Sequence, residues 1–314
     1  MILVTGGFGF IGSHTVRALL DLGEGCVVVQ RGTRPPPAVL AGAPVAVQQA
    51  DVGNRDALLA IGRRHRITGI LHLAGSYPWP PVPAAPVEAT RRALDGLLNI
   101  AQAAQEWGVR RLGLASTIGV YPGSGQDLPL REDAPLSMTA SVSIPTFKKV
   151  GELLGGFLAD TTGLDIVHYR ISGTWGPLGH PDPFFAAPAL VHAAARGTAP
   201  DLSHLLGPAH ADDGLDLNYV RDTGRALALL QLAERLNHRT YNVGSGRATT
   251  NAEIADAIRK TAPDARVDLP SGGTAPQLVL DIGRLRQDTG YRPEYDTERA
   301  AADYLAWLRA GHER

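Results

Sequence analysis

Three glycines near the start constrain this chain more than any other feature. Gly6, Gly9 and Gly12 stand three residues apart, directly after the apolar run Ile2-Leu3-Val4-Thr5 and directly before a stretch, 13–22, with the make-up of a helix. A strand that turns sharply into a helix needs residues without a Cβ at the turn. The bare turn also leaves the unpaired N–H groups of the first helical turn open, at the positive end of the helix dipole. Such an arrangement cradles a phosphate. The spacing alone is weak evidence, but a strand before it and a helix after it supply the setting of a dinucleotide-binding turn. The alternative is a plain strand-to-helix turn.

The stretches that follow alternate in the same way. Short β-branched runs at 26–30, 44–48, 70–73, 111–115 and 165–169 are separated by helical patterns at 55–64, 90–107 and 146–160. Strands alternating with helices point to a parallel sheet. The expected fold is α/β, a Rossmann-type doubly wound parallel sheet with a smaller C-terminal substrate lobe. The first unit takes residues 1–170 plus about 215–243, and the lobe takes 171–214 plus 244–314. Beyond Arg170 glycine and proline punctuate the chain, a histidine-dotted loop spans 203–214, and helices are expected at 254–261 and 297–309.

Bulk properties narrow the partners. The net charge of −1, with 19% charged and 44% hydrophobic residues, gives no pull towards nucleic acid or an anionic membrane. No apolar run approaches the ~20 residues of a membrane span. The single cysteine, Cys26, precedes three valines and reads as a small hydrophobe in a core strand, in a chain suited to a reducing compartment. Met1 runs directly into the first strand, so no secretory leader is expected and the location expected is cytoplasmic. His204, His210, Asp212 and Asp213 match no metal-ligand spacing and read as a polar loop, so no metal is expected.

At the end of the second strand an acidic residue ordinarily holds the adenosine 2′-hydroxyl. Gln30 stands there, followed by Arg31 and then Arg34. A guanidinium pairs with a 2′-phosphate that a carboxylate would repel. NADP(H) is therefore favoured, with NAD(H) as the alternative; equally, both arginines fit simple loop surface charge.

Several longer runs resemble one family. The segment Leu3-Val4-Thr5-Gly6-Gly7-Phe8-Gly9-Phe10-Ile11-Gly12-Ser13-His14, the pair Asp51-Val52, the run Leu71-His72-Leu73-Ala74-Gly75, the run Tyr241-Asn242-Val243-Gly244-Ser245-Gly246 and the closing region 281–307 resemble the extended short-chain dehydrogenases/reductases of NAD-dependent epimerase/dehydratase type. The resemblance covers essentially the whole chain. It implies cofactor contacts from Gly6, Gly9, Phe10, Ile11, Gly12, Asp51, Val52, Leu73, Ala74, Gly75, Lys148 and Ile171, together with Arg31 and Arg34. It implies a substrate near Ser76, Tyr77, Thr117, Ile144, Gly173, Thr174 and Arg221. It also implies a homodimer through the helices near 93–107 and 147–160.

The family's chemistry uses a Ser/Thr hydroxyl that orients the substrate oxygen, a tyrosine that moves the proton, and a lysine that lowers the tyrosine pKa and holds the ribose. Thr117, four residues before Tyr121, fits the hydroxyl. Lys148 fits the lysine, four residues before Glu152 and in a chain with only three lysines. The tyrosine is missing: its position is Ile144, and the register set by Lys149 gives Pro145. Ser141, Ser143 and Thr146 are candidate relays, and Tyr77, Tyr121 and Tyr219 are candidate relocated acids. The family's nucleotide-sugar pattern is also broken, with Gly173 at an asparagine position and Leu215 at an arginine position; Arg221 is a candidate substitute, and Tyr77, Trp79 and Trp175 suggest a more apolar pocket.

The expected function is hydride transfer by an NAD(P)-dependent epimerase, dehydratase or reductase on a small hydroxylated or keto metabolite, with a non-standard proton donor. A non-redox lyase, cyclase or isomerase on the same fold, and a non-catalytic cofactor-binding protein, remain open.

Overall fold

The computed structural model describes residues 1–75, 85–139, 142–180, 184–274 and 278–312. Ser76, Tyr77, Trp79 and Ser141 lie outside the described residues. Ten strands are described: β1 (Ile2–Thr5), β2 (Cys26–Gln30), β3 (Ala46–Gln49), β4 (Gly69–His72), β5 (Arg111–Thr117), β6 (Ile166–Ile171), β7 (Gly173–Trp175), β8 (Gly214–Tyr219), β9 (Thr240–Val243) and β10 (Ala248–Thr250). Nine helices accompany them: α1 (Phe10–Asp21), α2 (Arg55–Gly62), α3 (Pro86–Glu106), α4 (Ser143–Thr162), α5 (Ala187–Arg196), α6 (Val220–Leu232), α7 (Asn251–Thr261), α8 (Gly283–Thr289) and α9 (Thr297–Arg309).

Seven strands form a parallel sheet in the order β3-β2-β1-β4-β5-β6-β9. Because successive side chains of a strand point to opposite faces, Ile2 and Val4 join one core with Val16 and Leu19 of α1 and Leu227 and Leu230 of α6. Leu3 joins the other, with Leu58 of α2, Ile100 of α3 and Ala159 of α4. Both faces are thus covered by helices, as a doubly wound sheet requires. Cys26 is fully buried in the first core, and burial pushes its thiol up to about 12. It packs as a hydrophobe.

A three-stranded sheet, β10-β8-β7, supports the smaller lobe, whose own core joins Leu190 and Val191 of α5, Ile254 and Ile258 of α7 and Tyr304 and Leu305 of α9. The sequence-based division puts 215–243 wholly in the first unit. The structure divides that stretch: Gly214–Tyr219 joins the small sheet, whereas α6 packs on α1 and Thr240–Val243 completes the large sheet. The carboxylate of the buried Asp216 fastens the two, accepting from the backbone N–H groups of Ser245 (2.8 Å), Gly246 (3.0 Å) and Leu280 (3.2 Å). Among the described residues no helix is long and apolar enough to cross a membrane.

Candidate active site

The carboxyl ends of the strands open into a cleft of about 1480 Å³ between the two lobes. Phe10, Ile11, Ala115, Thr117, Ile144, Lys148, Ile171, Gly173 and Thr174 all line it. Residues from both ends of the sequence therefore converge where ligands of such sheets bind.

One end is built from backbone. Gly6 has φ +69°, and a Cβ there would lie 2.9 Å from the Ala74 nitrogen; a Cβ on Gly12 would lie 2.1 Å from the Gly6 carbonyl oxygen. The glycines are needed by this packing. Helix α1 starts from Gly9 with no side-chain cap and no acidic residue in its first turn, so its leading N–H groups remain available to an anion. Thr5 ties the glycine turn to the run after β4: its Oγ1 bonds His72 Nδ1 at 2.8 Å and accepts from the Ala74 N–H at 3.2 Å. Burial first, and then the Lys148 charge, lower His72 to about 3, so it stays neutral. Arg31 and Arg34 are exposed just past β2, and Asp51 and Val52 follow β3. The cradle, the open helix end and the exposed arginines fit a dinucleotide: Gly6, Gly9 and Gly12 would face its phosphates, and Arg31 and Arg34 its adenosine ribose.

The other end is built from side chains. Thr117 terminates β5, and its Oγ1 accepts the Gly119 N–H at 3.1 Å, leaving its own proton free to donate. Lys148 on α4 is half-buried and donates to the Ala115 carbonyl at 2.7 Å. Burial lowers it to about 8 although the Glu152 carboxylate acts in the opposite sense. Ile144 sits one helical turn before Lys148 and lines the same cleft. Lys149 is anchored elsewhere, on the Ser137 and Thr139 carbonyls.

Behind this wall lies a buried polar frame. Glu152 accepts from Ser116 Oγ at 2.5 Å and from Arg170 at 2.7 to 3.2 Å. Burial alone would raise the Glu152 carboxyl, but Arg170 and Ser116 hold it below its ordinary value. Arg170 also donates to the Tyr121 oxygen at 2.9 Å, and that phenol donates to Asn242 Oδ1 at 2.6 Å. Sequence reasoning used Glu152 and Arg170 only as markers of register and missed Ser116. A buried Arg in β6 and a Glu on the facing helix were the available signals.

The same geometry corrects four expectations. Tyr121 is no relocated acid: it is buried in the frame, and burial pushes it up to about 12. Tyr219 is buried in the small lobe, bonded to Asp303, and burial raises it further still. Arg221 does not reach the cleft: it pairs with Asp303 at 3.1 Å and lies 5.9 Å from the Tyr295 ring centre, on the outer side of the lobe. Trp175 likewise packs edge-on against Tyr219 inside the lobe core. Asp213, in the polar loop, accepts from the backbone N–H groups of His210 and Thr274.

A seven-stranded parallel sheet with a glycine cradle at the first strand–helix turn defines a Rossmann-type dinucleotide-binding protein. The chain belongs to the NAD dependent epimerase/dehydratase family, whose model matches residues 2–244, and so to the extended short-chain dehydrogenases/reductases. It is 27% identical to the UDP-glucose 4-epimerase of Azospirillum brasilense, covering 98% of this chain and 92% of that one. It is 28% identical to the UDP-glucose 4-epimerase of Mus musculus, over 98% and 96% of the two chains. Among solved structures it is similar to UDP-glucose 4-epimerase from Stenotrophomonas maltophila with bound NAD and formylated UDP-arabinopyranose, at 26% identity, a TM-score of 0.82 and 98% coverage of both chains.

Proposed function

We propose that this chain transfers hydride between NAD(P) and a small hydroxylated or keto metabolite, as an epimerase, dehydratase or reductase, and that Lys148 and Thr117 together handle the proton that a tyrosine moves elsewhere in the family. The observation that carries this reading is the placement of both groups on one cleft wall, with Ile144 one turn before the lysine. The dinucleotide supplies the hydride acceptor or donor. Thr117 donates its hydroxyl proton to the substrate oxygen and holds the reacting carbon in place. Lys148, at about 8, exists in both protonation states near neutrality, the condition under which a general acid/base is most effective. In the reducing direction its ammonium gives a proton to the substrate oxygen; in the oxidising direction the neutral amine takes that proton back.

Two further features belong to this reading. Arg31 and Arg34 are exposed beside the place of the adenosine ribose, and among the described residues neither has a carboxylate partner, which favours NADP(H) over NAD(H). Leu98 of α3 and Leu153 and Phe157 of α4 are 47%, 68% and 61% exposed, and such an apolar face suits pairing with a second copy of the chain. The loss of the phenol also supports a second reading, a non-redox isomerase or lyase that keeps the dinucleotide as scaffold. Mixing the protein with NADPH or NADH and a panel of keto metabolites separates the two. A net fall in nicotinamide absorbance is expected for reduction, and a transient nicotinamide absorbance in single turnover for epimerisation or dehydration; product formed with neither would select the non-redox reading.

A further inference from the structure

The substrate end of the cleft differs in chemistry from the cofactor end. Phe184, Leu205, Leu206, Leu215, Leu217 and Leu278 line it. Leu206 remains 72% exposed, although large apolar side chains in a cleft are ordinarily covered by a ligand or a partner. The charge pattern agrees. Among the described residues lining the cleft, the only Lys or Arg side chains are Lys148 and Lys149, both on α4 across from these leucines, and Lys149 is committed to two carbonyls. The charged group on the lobe side is the carboxylate of Asp213. The segments 76–84, 140–141, 181–183 and 275–277 contain no Lys, Arg or His in sequence. A diphosphate placed against the leucines would meet, among the described residues of that side of the cleft, no cation to offset its desolvation.

Two neighbouring positions show how the wall is built. A Cβ on Gly173 would lie 2.8 Å from Leu217 and 3.0 Å from Leu215, so the leucines fill the space that a polar side chain at 173 would need. Next to it, Ser172 lines the cleft with 6% of its surface exposed, and its Oγ has no hydrogen-bond partner. An unsatisfied buried hydroxyl is costly; the oxygen itself is covered, and a rotation about χ1 that brings it to the cleft surface would give it a ligand oxygen as partner.

We propose that the site selects an uncharged substrate with an apolar body, a ketone or secondary alcohol without a phosphate, and that the Ser172 hydroxyl anchors a polar group on it. This rests on the reading of the cleft as the place of hydride transfer. The leucine wall supplies affinity through buried area, and Ser172 and Thr117 supply the hydrogen bonds that fix orientation.

The test is calorimetric titration of the full chain, saturated with its dinucleotide, with UDP, with UDP-glucose and with 2-alkanones of increasing length. Affinity for the alkanones is expected to rise about fourfold per added methylene until the wall is covered, with no heat from either nucleotide at millimolar concentration. Ser172→Ala is expected to weaken the alkanones roughly tenfold through a lost hydrogen bond. Leu215→Arg is expected to abolish the chain-length dependence and to introduce UDP binding. UDP or UDP-glucose binding to the unaltered protein more tightly than any alkanone would overturn the proposal, as would affinities independent of chain length. Heat reads binding without turnover, so alkanones that bind but leave nicotinamide absorbance unchanged would defeat the reductase form of the hydride-transfer reading and leave this one standing.

Discussion

The two ends of the cleft obey different rules. The cofactor end is made of main chain: Gly6, Gly9 and Gly12, the open start of α1, and the Thr5–Ala74 tie. The substrate end is made of side chains, Ile144, Lys148, Ser172, Leu215 and Leu217, standing on the same framework. A site made of backbone cannot be altered without altering the turn that begins the fold. A site made of side chains can change its chemistry while the strands beneath keep their register. That difference would let a chain matching its family over residues 2–244 carry Ile144 where the resemblance implies a tyrosine while Ser116, Glu152 and Arg170 hold their frame behind it.

The largest effect expected at the side-chain end comes from Lys148. Lys148→Met should lower turnover roughly 10²–10⁴-fold through loss of the acid/base, while apolar ligands stay bound to the leucine wall and the Ala115 carbonyl loses its donor. In the unaltered protein the rate of reduction should fall as pH rises through about 8, where the donating ammonium is lost, and the oxidation rate should climb over the same interval. The same group has a stability signature. Its folded value of about 8 lies below the ordinary 10.5, so the unfolded chain binds the proton more strongly, and stability should rise with pH between those values and stay flat below them. Chemical denaturation across that range, compared with Lys148→Met, would show it.

At the backbone end, Gly12→Ala should weaken dinucleotide binding by up to roughly 10²-fold, because the added methyl must displace the Gly6 carbonyl and overpacking costs about 1–3 kcal/mol. Unchanged binding in calorimetry would erase the contrast drawn here. Glu152→Gln probes the frame beneath both ends. It leaves the Arg170 guanidinium buried without its carboxylate, and a loss of about 3 kcal/mol in denaturant unfolding is expected. Arg31→Asp should weaken NADP(H) roughly tenfold relative to NAD(H), through one charge-assisted contact. The smallest effect sharpens the comparison most: Ile144→Tyr should raise ketone reduction about tenfold, because the hydroxyl and the lysine are already in place. No gain would mean that the leucine wall, and not the missing phenol, limits the chemistry.

Legibility in the sequence followed locality. The glycine turn, the strands at 2–5 and 26–30 and the helix at 297–309 match the structure residue for residue or nearly so, because each is written in adjacent residues. The stretch between Arg170 and the helix at 254–261 was read poorly. Helix α6 buries Asp222, Thr223 and Gln231 beside Val220, Ala226, Leu227 and Leu230, so its inward face is not written in apolar residues alone. Strand β8 pairs with β10 through Ala248 and Asp216, a partnership that no local pattern announces. Among candidate site residues, spacing singled out Thr117 and Lys148, and both line the cleft, whereas Arg221 was misplaced because a cationic side chain on a helix start gives no sign of which way it will turn.

By itself the sequence determined the class of fold and the glycine turn after the first strand, and it set Thr117, Ile144 and Lys148 at the spacings on which the proposed site rests. All of these are properties of one residue or of residues a few positions apart. The tertiary structure decided what surrounds them: that Tyr121 serves Arg170 and Asn242, that Arg221 faces Asp303, and that Leu215 and Leu217 close on Gly173. Burial, a shifted lysine and an unpartnered hydroxyl arise only when segments distant in the chain exclude water from one another.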